Sequence, residues 1–218
     1  MSRQSFGEFY HVYNRGMQKQ SIFISDADRF RFLFLLLFLQ GSNSIRNVSR
    51  AIKTSVQHQM LLIDKELKND VLKNRTIELV AFCLMPNHFH LIIHEIEDDG
   101  IAKYMQRVQN AYAKYFNTKY DKSGHLFQGL YKSKHIADDR YLLYLSAYIH
   151  KNPTELPNRK DKEEKYYWSS FQDCVATNRF PSLLNPDIIV DRYKEEKGNM
   201  SYLKFVKTSS AKEFAIEL

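Results

Sequence analysis

The sequence predicts an α+β fold in which helices cover an antiparallel sheet. Three observations carry that prediction. Short aromatic and β-branched runs recur at residues 8 to 14, 77 to 84 and 88 to 96, and the apolar run at 26 to 40 is too long for a strand. Turn or stop signals separate the segments at Asn14-Arg15-Gly16, Met85-Pro86-Asn87 and Asn152-Pro153.

Taken in order, EFYHVYN (8 to 14) reads as a first strand ending at its turn signal. DADRFRFLFLLLFLQ (26 to 40) opens with acidic cap candidates and stays apolar nearly all round, as a helix buried against a sheet does. SNSIRNVSR then reads as polar and turn-like, residues 45 to 69 as weakly amphipathic helix, and 42–75 together as a helical insertion. IELVAFCL (77 to 84) and HFHLIIHEI (88 to 96) form a hairpin around Met85-Pro86-Asn87. Asp98-Asp99-Gly100 can cap a helix whose apolar stripe is Ile101, Tyr104, Met105, Val108, Tyr112 and Tyr115. HLFQGLYKSKHI ends in an alternating piece read as a fourth strand. Asp138 or Asp139 then caps a helix over 139 to 151, which Asn152-Pro153 stops. Strand, helix, hairpin, helix, strand, helix is the order of a ferredoxin-like split βαβ sheet. The division expected is a main domain at 1–154, then a charged linker and a C-terminal helical extension at 155–218.

With 218 residues and 44% hydrophobic content the chain can bury a core of its own. The 32 Lys and Arg against 25 Asp and Glu favour anionic partners, nucleic acid among them. Cys83 and Cys174 fit neither a disulfide framework nor a zinc ribbon. No signal pattern opens the chain, and Phe32 to Leu39 is far shorter than a membrane span, so the expectation is a cytoplasmic protein with no membrane partner.

MPNHFHLIIH (85 to 94) places histidines where a buried strand would pack aliphatic residues. Alternate strand residues share a face, so His88 and His90 stand about 7 Å apart along the chain and can converge on one ion. His94 shares their face but lies about 13 Å beyond His90, too far for the same ion, and reads as structural or substrate-facing. A His-x-His pair is equally compatible with two hydrogen-bonded residues at a sheet edge. If a metal is bound, imidazole leaves its identity open and a third ligand has to come from another element. RYLLYLSAYIHKNP sets Tyr141, Tyr144 and Tyr148 on one helix face, with Asn152 four residues after Tyr148. Spacing alone does not distinguish Tyr144 from Tyr148, nor either from core packing.

YHVYNRG (10 to 16), LMPNHFHLI (84 to 92), GHLFQGLYKSKHI (124 to 136), YLSAYIHKNP (144 to 153) and, more faintly, WSSF (168 to 171) together resemble the single-tyrosine HUH transposases of small bacterial insertion sequences, with their IS200-like transposase domain. The likeness is greatest to the REP-associated tyrosine transposases and spans residues 8 to 154 without 42 to 75. It implies paired histidines at His88 and His90 as metal ligands, Tyr148 as nucleophile, and Asn152 as the metal-binding amide, where insertion-sequence enzymes more typically carry glutamine. The implied cofactor is Mg2+ or Mn2+. The implied reaction is DNA cleavage and rejoining through a 5′-phosphotyrosine intermediate, by a monomer or a homodimer.

A basic surface interleaved with aromatic residues suits single-stranded or hairpin DNA as the partner. Its cations are Lys103, Arg107, Lys114, Lys119, Lys122, Lys132 and Lys134, and its rings are Tyr112, Tyr115, Phe116, Tyr120, Phe127 and Tyr131. A solvated basic helix with core aromatics is the plainer account of the same residues. Two other functions remain open at this point: a hairpin-DNA-binding protein that does not cut, and a metal-dependent phosphodiesterase that uses water.

Overall fold

The computed structural model describes residues 7–42, 48–58, 60–61, 65–197 and 201–210. Strands β1 (Phe9–Arg15), β2 (Ile77–Met85), β3 (His88–Glu95) and β4 (Lys132–Ile136) form one antiparallel sheet in the order β2-β3-β1-β4, the ferredoxin-like arrangement expected. The strands start and stop within a residue of the sequence-based bounds, apart from β4, which takes only the last five residues of its segment. A register shift between Leu79 and Ala81 inserts Val80 into β2.

Strand alternation divides the sheet into two faces. Phe89, Leu91 and Ile93 of β3 are fully buried beneath α1 (Asp26–Phe38) and α4 (Gly100–Tyr120), where Phe32 packs on Phe89 and on Tyr112. His88, His90, His11 and Tyr13 belong to the other face, which is covered by α5 (Asp139–Lys151). The chemistry-bearing side chains and the main apolar layer thus lie on opposite sides of one sheet.

The helix starts differ in part from their expected caps. Ser25 precedes α1, and the Asp28 carboxylate reaches back to accept the backbone N–H groups of Ile24 and Ser25. For α4, Asp99 sits in the left-handed region without a side-chain capping bond, and Glu95 of β3 accepts the Ile101 N–H instead. Asp138 does cap α5, through the Tyr141 N–H. The segment expected as one weak helix at 45 to 69 is divided into α2 (Val48–Gln57) and α3 (Lys65–Lys73), while most of the turn-like stretch before it lies outside the described residues.

Beyond α5 come α6 (Phe171–Val175), α7 (Asp187–Lys197) and α8 (Tyr202–Thr208). Their Phe171, Tyr193, Tyr202 and Phe205 join the same buried cluster as α1 and β2. The WSSF stretch covers the outer edge of β2: the Leu84 N–H donates to the Trp168 carbonyl and the Ser170 N–H to that of Phe82. An open edge is thereby paired. Among the described residues no helix is long and apolar enough to cross a membrane, and Cys83 and Cys174 are both free thiols.

Asp28 gathers α1 and α4 into one unit. Besides its two backbone bonds, it accepts Lys119 at 2.6 Å, Tyr120 at 2.7 Å and Tyr115 at 2.9 Å. Burial alone would raise its pKa, but the bonds from Lys119, Tyr120, the Ser25 backbone and Tyr115 hold it below the ordinary value. Asp28→Ala leaves those donors without their acceptor and is expected to lower unfolding free energy by about 3 to 5 kcal/mol. Urea denaturation measures this, and a loss below about 1 kcal/mol would contradict it.

Candidate active site

The hairpin at Pro86-Asn87 delivers His88 and His90 from β3, and the end of α5 delivers Tyr148 and Asn152. The rings of His88 and His90 are edge-on at 5.2 Å between centroids, and His90 meets the Tyr148 ring edge-on at 5.5 Å. Asn152 is buried, and its Oδ1 lies 3.4 Å from His88 Nε2. The four residues named from the family resemblance therefore stand together within one chain. Tyr144, indistinguishable from Tyr148 by spacing, packs instead on Phe205 of α8.

The hydrogen bonds around His88 bear on its protonation. Asn87 donates its Nδ2 to the Lys19 carbonyl, which turns its Oδ1 toward His88 Nδ1 at 2.7 Å and favours the ring proton there. Asn152 donates its Nδ2 to the Tyr148 carbonyl at 2.9 Å, so its Oδ1 faces His88 as an acceptor. Burial holds His88 below the ordinary histidine pKa, against opposing effects from Asn152 and Glu155, and the ring is neutral at pH 7. With the ring proton on Nδ1, His88 Nε2 would turn a lone pair toward Asn152 Oδ1; with it on Nε2, the same 3.4 Å contact is a hydrogen bond. Ligands about 2.1 Å from one cation stand roughly 3.0 to 3.4 Å apart, so this pair fits a divalent ion. Among the described residues no three His, Cys, Asp or Glu side chains cluster as a metal site, and the polar group beside the two imidazoles is the Asn152 amide.

His90 is held from behind. Its Nδ1 lies 2.8 Å from Nε2 of the buried His11, whose ring stacks on Tyr13. Burial, reinforced by neighbouring His11 and His88, pushes the His90 pKa well down, and burial with Lys134 lowers His11 to about 3. Tyr148 is pushed above the ordinary phenol range by burial and by the Glu155 charge, against a smaller opposing effect from Asn152. Without a cation at the site this phenol keeps its proton at neutral pH.

A buried polar network fixes the helix that carries these groups. His150 bonds the Tyr202 hydroxyl at 2.9 Å and the Ser170 hydroxyl at 3.0 Å, and Ser146 also meets Tyr202 at 2.7 Å. The C-terminal helices thereby brace α5 two residues from Tyr148 and Asn152.

In front of the histidines opens a pocket of about 520 Å3 whose lining includes Arg15, Lys19, Gln128, Lys132 and Glu155. Lys134 lies on the same sheet face, two residues along β4 from Lys132. The other expected DNA contacts are placed elsewhere. Lys103, Arg107, Lys114 and Lys119 ride on α4, across the sheet. Arg107 donates to the Gly41 carbonyl and Lys119 pairs with Asp28, so both serve the fold, while Lys114 is exposed. Tyr131 is half-buried, and Tyr112, Phe116 and Phe127 are buried core rings that no base can stack on. The Tyr115 and Tyr120 hydroxyls both bond Asp28. His94 stacks on Phe9 and pairs with Glu78, far along the strand from the site.

His11, Asn87, Arg15 and Glu155 were not singled out from the sequence. Strand parity was the available signal for two of them. Once β1 lies beside β3, residues 11, 13 and 15 share the face of His88 and His90.

Residues 47–152 match the family model described as "Transposase IS200 like". This span takes in most of the segment read as an insertion and begins after YHVYNRG. Among curated proteins none matches the chain. A solved structure described as "Structure of the REP associates tyrosine transposase bound to a REP hairpin" is similar with a TM-score of 0.50 at 15% identity, over 83% of this chain and 88% of that one. At that identity the likeness bears on the fold, and it agrees with the sheet order and with the family match. The match to the IS200-like transposase family thus lies in residues 47–152, and the fold is similar to that of a solved tyrosine transposase.

Proposed function

We propose that this chain cleaves and rejoins single-stranded or hairpin DNA with Tyr148 as nucleophile and His88, His90 and Asn152 as the ligands of a divalent cation. The observation that carries this reading is the convergence of His88 Nε2 and Asn152 Oδ1, 3.4 Å apart, beside a His90 that touches the Tyr148 ring. The solved transposase structure similar in fold holds a hairpin, which supports the choice of substrate. When bound, Mg2+ or Mn2+ supplies positive charge that neutralises a scissile phosphate. Arg15, Lys19 and Lys132 line the same pocket and suit the flanking phosphates.

The Tyr148 oxygen attacks phosphorus and forms a phosphotyrosine ester to the 5′ side, while the bond to the 3′ oxygen breaks. The phenol loses its proton and the departing oxygen gains one, so a free 3′-hydroxyl results and the step can run backward. The raised phenol pKa means that attack depends on nearby positive charge. Residues 1–154 carry this chemistry in our reading, and 155–218 brace α5 through Tyr202 and Ser170.

Incubation with hairpin DNA and Mg2+ or Mn2+, read on denaturing gels, tests the proposal. A covalent protein–DNA adduct supports it. Cleavage without an adduct points to a phosphodiesterase that uses water, and tight binding without cleavage to a binding protein.

The DNA track is expected on the β4 side. Lys132→Ala and Lys134→Ala should each weaken hairpin binding and reduce the salt dependence by about one released counterion, while Lys114→Ala leaves both unchanged. Affinity measured across a salt series checks this, and equal effects from all three variants would overturn the placement.

A further inference from the structure

We propose that His11 is a positioning residue: it takes the Nδ1 proton of His90 and so keeps His90 Nε2 free as a ligand. This rests on the metal-site reading above. His11 and Ile92 are paired across β1 and β3, as are Tyr13 and His90, so His11 and His90 are diagonal neighbours on one face. Their facing nitrogens are 2.8 Å apart and buried, with the rings nearly parallel at 5.1 Å. That distance is a hydrogen bond, and a hydrogen bond between two neutral imidazoles contains one proton.

The proton has two possible owners, with opposite consequences. If His11 donates from Nε2, the single proton of His90 sits on its own Nε2 and occupies the nitrogen left for the pocket. If His90 donates from Nδ1, its Nε2 keeps a lone pair for a cation. The second arrangement mirrors His88, whose Nδ1 faces Asn87 Oδ1 at 2.7 Å. Each of the two imidazoles then has its own acceptor behind it, one from the hairpin turn and one from the neighbouring strand. Such outer partners fix ring orientation and tautomer, and their loss typically lowers metal affinity by about 10- to 100-fold.

Two measurements test this on the full chain. Long-range nitrogen–proton NMR of the metal-free protein at pH 7.5 is expected to show His90 protonated at Nδ1 and bare at Nε2. The opposite tautomer overturns the proposal whatever the protein does with metal. Mn2+ titration by calorimetry is expected to show affinity reduced about 10- to 100-fold in His11→Phe, which removes the acceptor, and partly restored in His11→Gln, which returns one. Unchanged affinity in His11→Phe sinks the role of His11. A wild-type protein that binds no Mn2+ sinks the metal-site reading instead, and the NMR result still decides the tautomer. Should His11→Phe fail to fold, His11→Gln and the wild-type spectrum carry the test.

Discussion

Tyr148→Phe is expected to abolish the covalent DNA adduct and to lower strand cleavage at least about 10^4-fold, as removal of a nucleophile does in other covalent enzymes. The substitution deletes one oxygen and keeps the ring that packs on His90. Hairpin affinity and Mn2+ binding should therefore persist, which separates lost chemistry from lost structure. Tyr144→Phe is the control, because that ring packs on Phe205 and not on the histidines. An adduct that survives in Tyr148→Phe but disappears in Tyr144→Phe would reverse the assignment. The Tyr148–His90 contact lies within one chain, so mixing Tyr148→Phe with a His88→Ala, His90→Ala variant should not restore cleavage. Recovery of activity in the mixture would mean that the tyrosine serves a partner's site.

Acidification is expected to destabilise the fold by about 5 kcal/mol between pH 7.5 and pH 4.5. Burial lowers His150 to about 3, and burial together with Lys134 lowers His11 to about 3, against 6.5 for an unfolded histidine. Below pH 6.5 the unfolded chain takes up protons that these two folded-state rings refuse. Stability is thus complete above pH 6.5 and falls as pH drops toward 3, at up to about 1.4 kcal/mol per pH unit for each ring. His90 acts in the same direction. A loss of this size is a large part of the roughly 5 to 15 kcal/mol that holds a typical domain together. Urea midpoints at several pH values measure it, and a flat profile between pH 7.5 and 4.5 would contradict the buried, neutral assignment.

Much of this protein was legible in its sequence because local rules suffice there. Alternation separated Phe89, Leu91 and Ile93 from His88 and His90, and helical spacing put Tyr148 and Asn152 on one face of α5. Turn and stop signals located the hairpin and the end of that helix. The basic surface was less legible. Lys119 and Lys132 look alike in composition, yet one is spent on Asp28 and the other lines the pocket. Rings at 112, 116 and 127 likewise looked able to stack bases and turned out to be core.

The sequence by itself determined which side chains share a strand face or a helix face, since that follows from backbone period alone. Only the tertiary structure decided which faces meet. It set β1 beside β3, so that His11 backs His90. It turned α5 toward the histidines rather than toward α4, and drew Arg107 to the end of α1. These are long-range pairings selected by burial and hydrogen bonding across the whole chain, and no local pattern encodes which partner a given lysine, ring or imidazole will find.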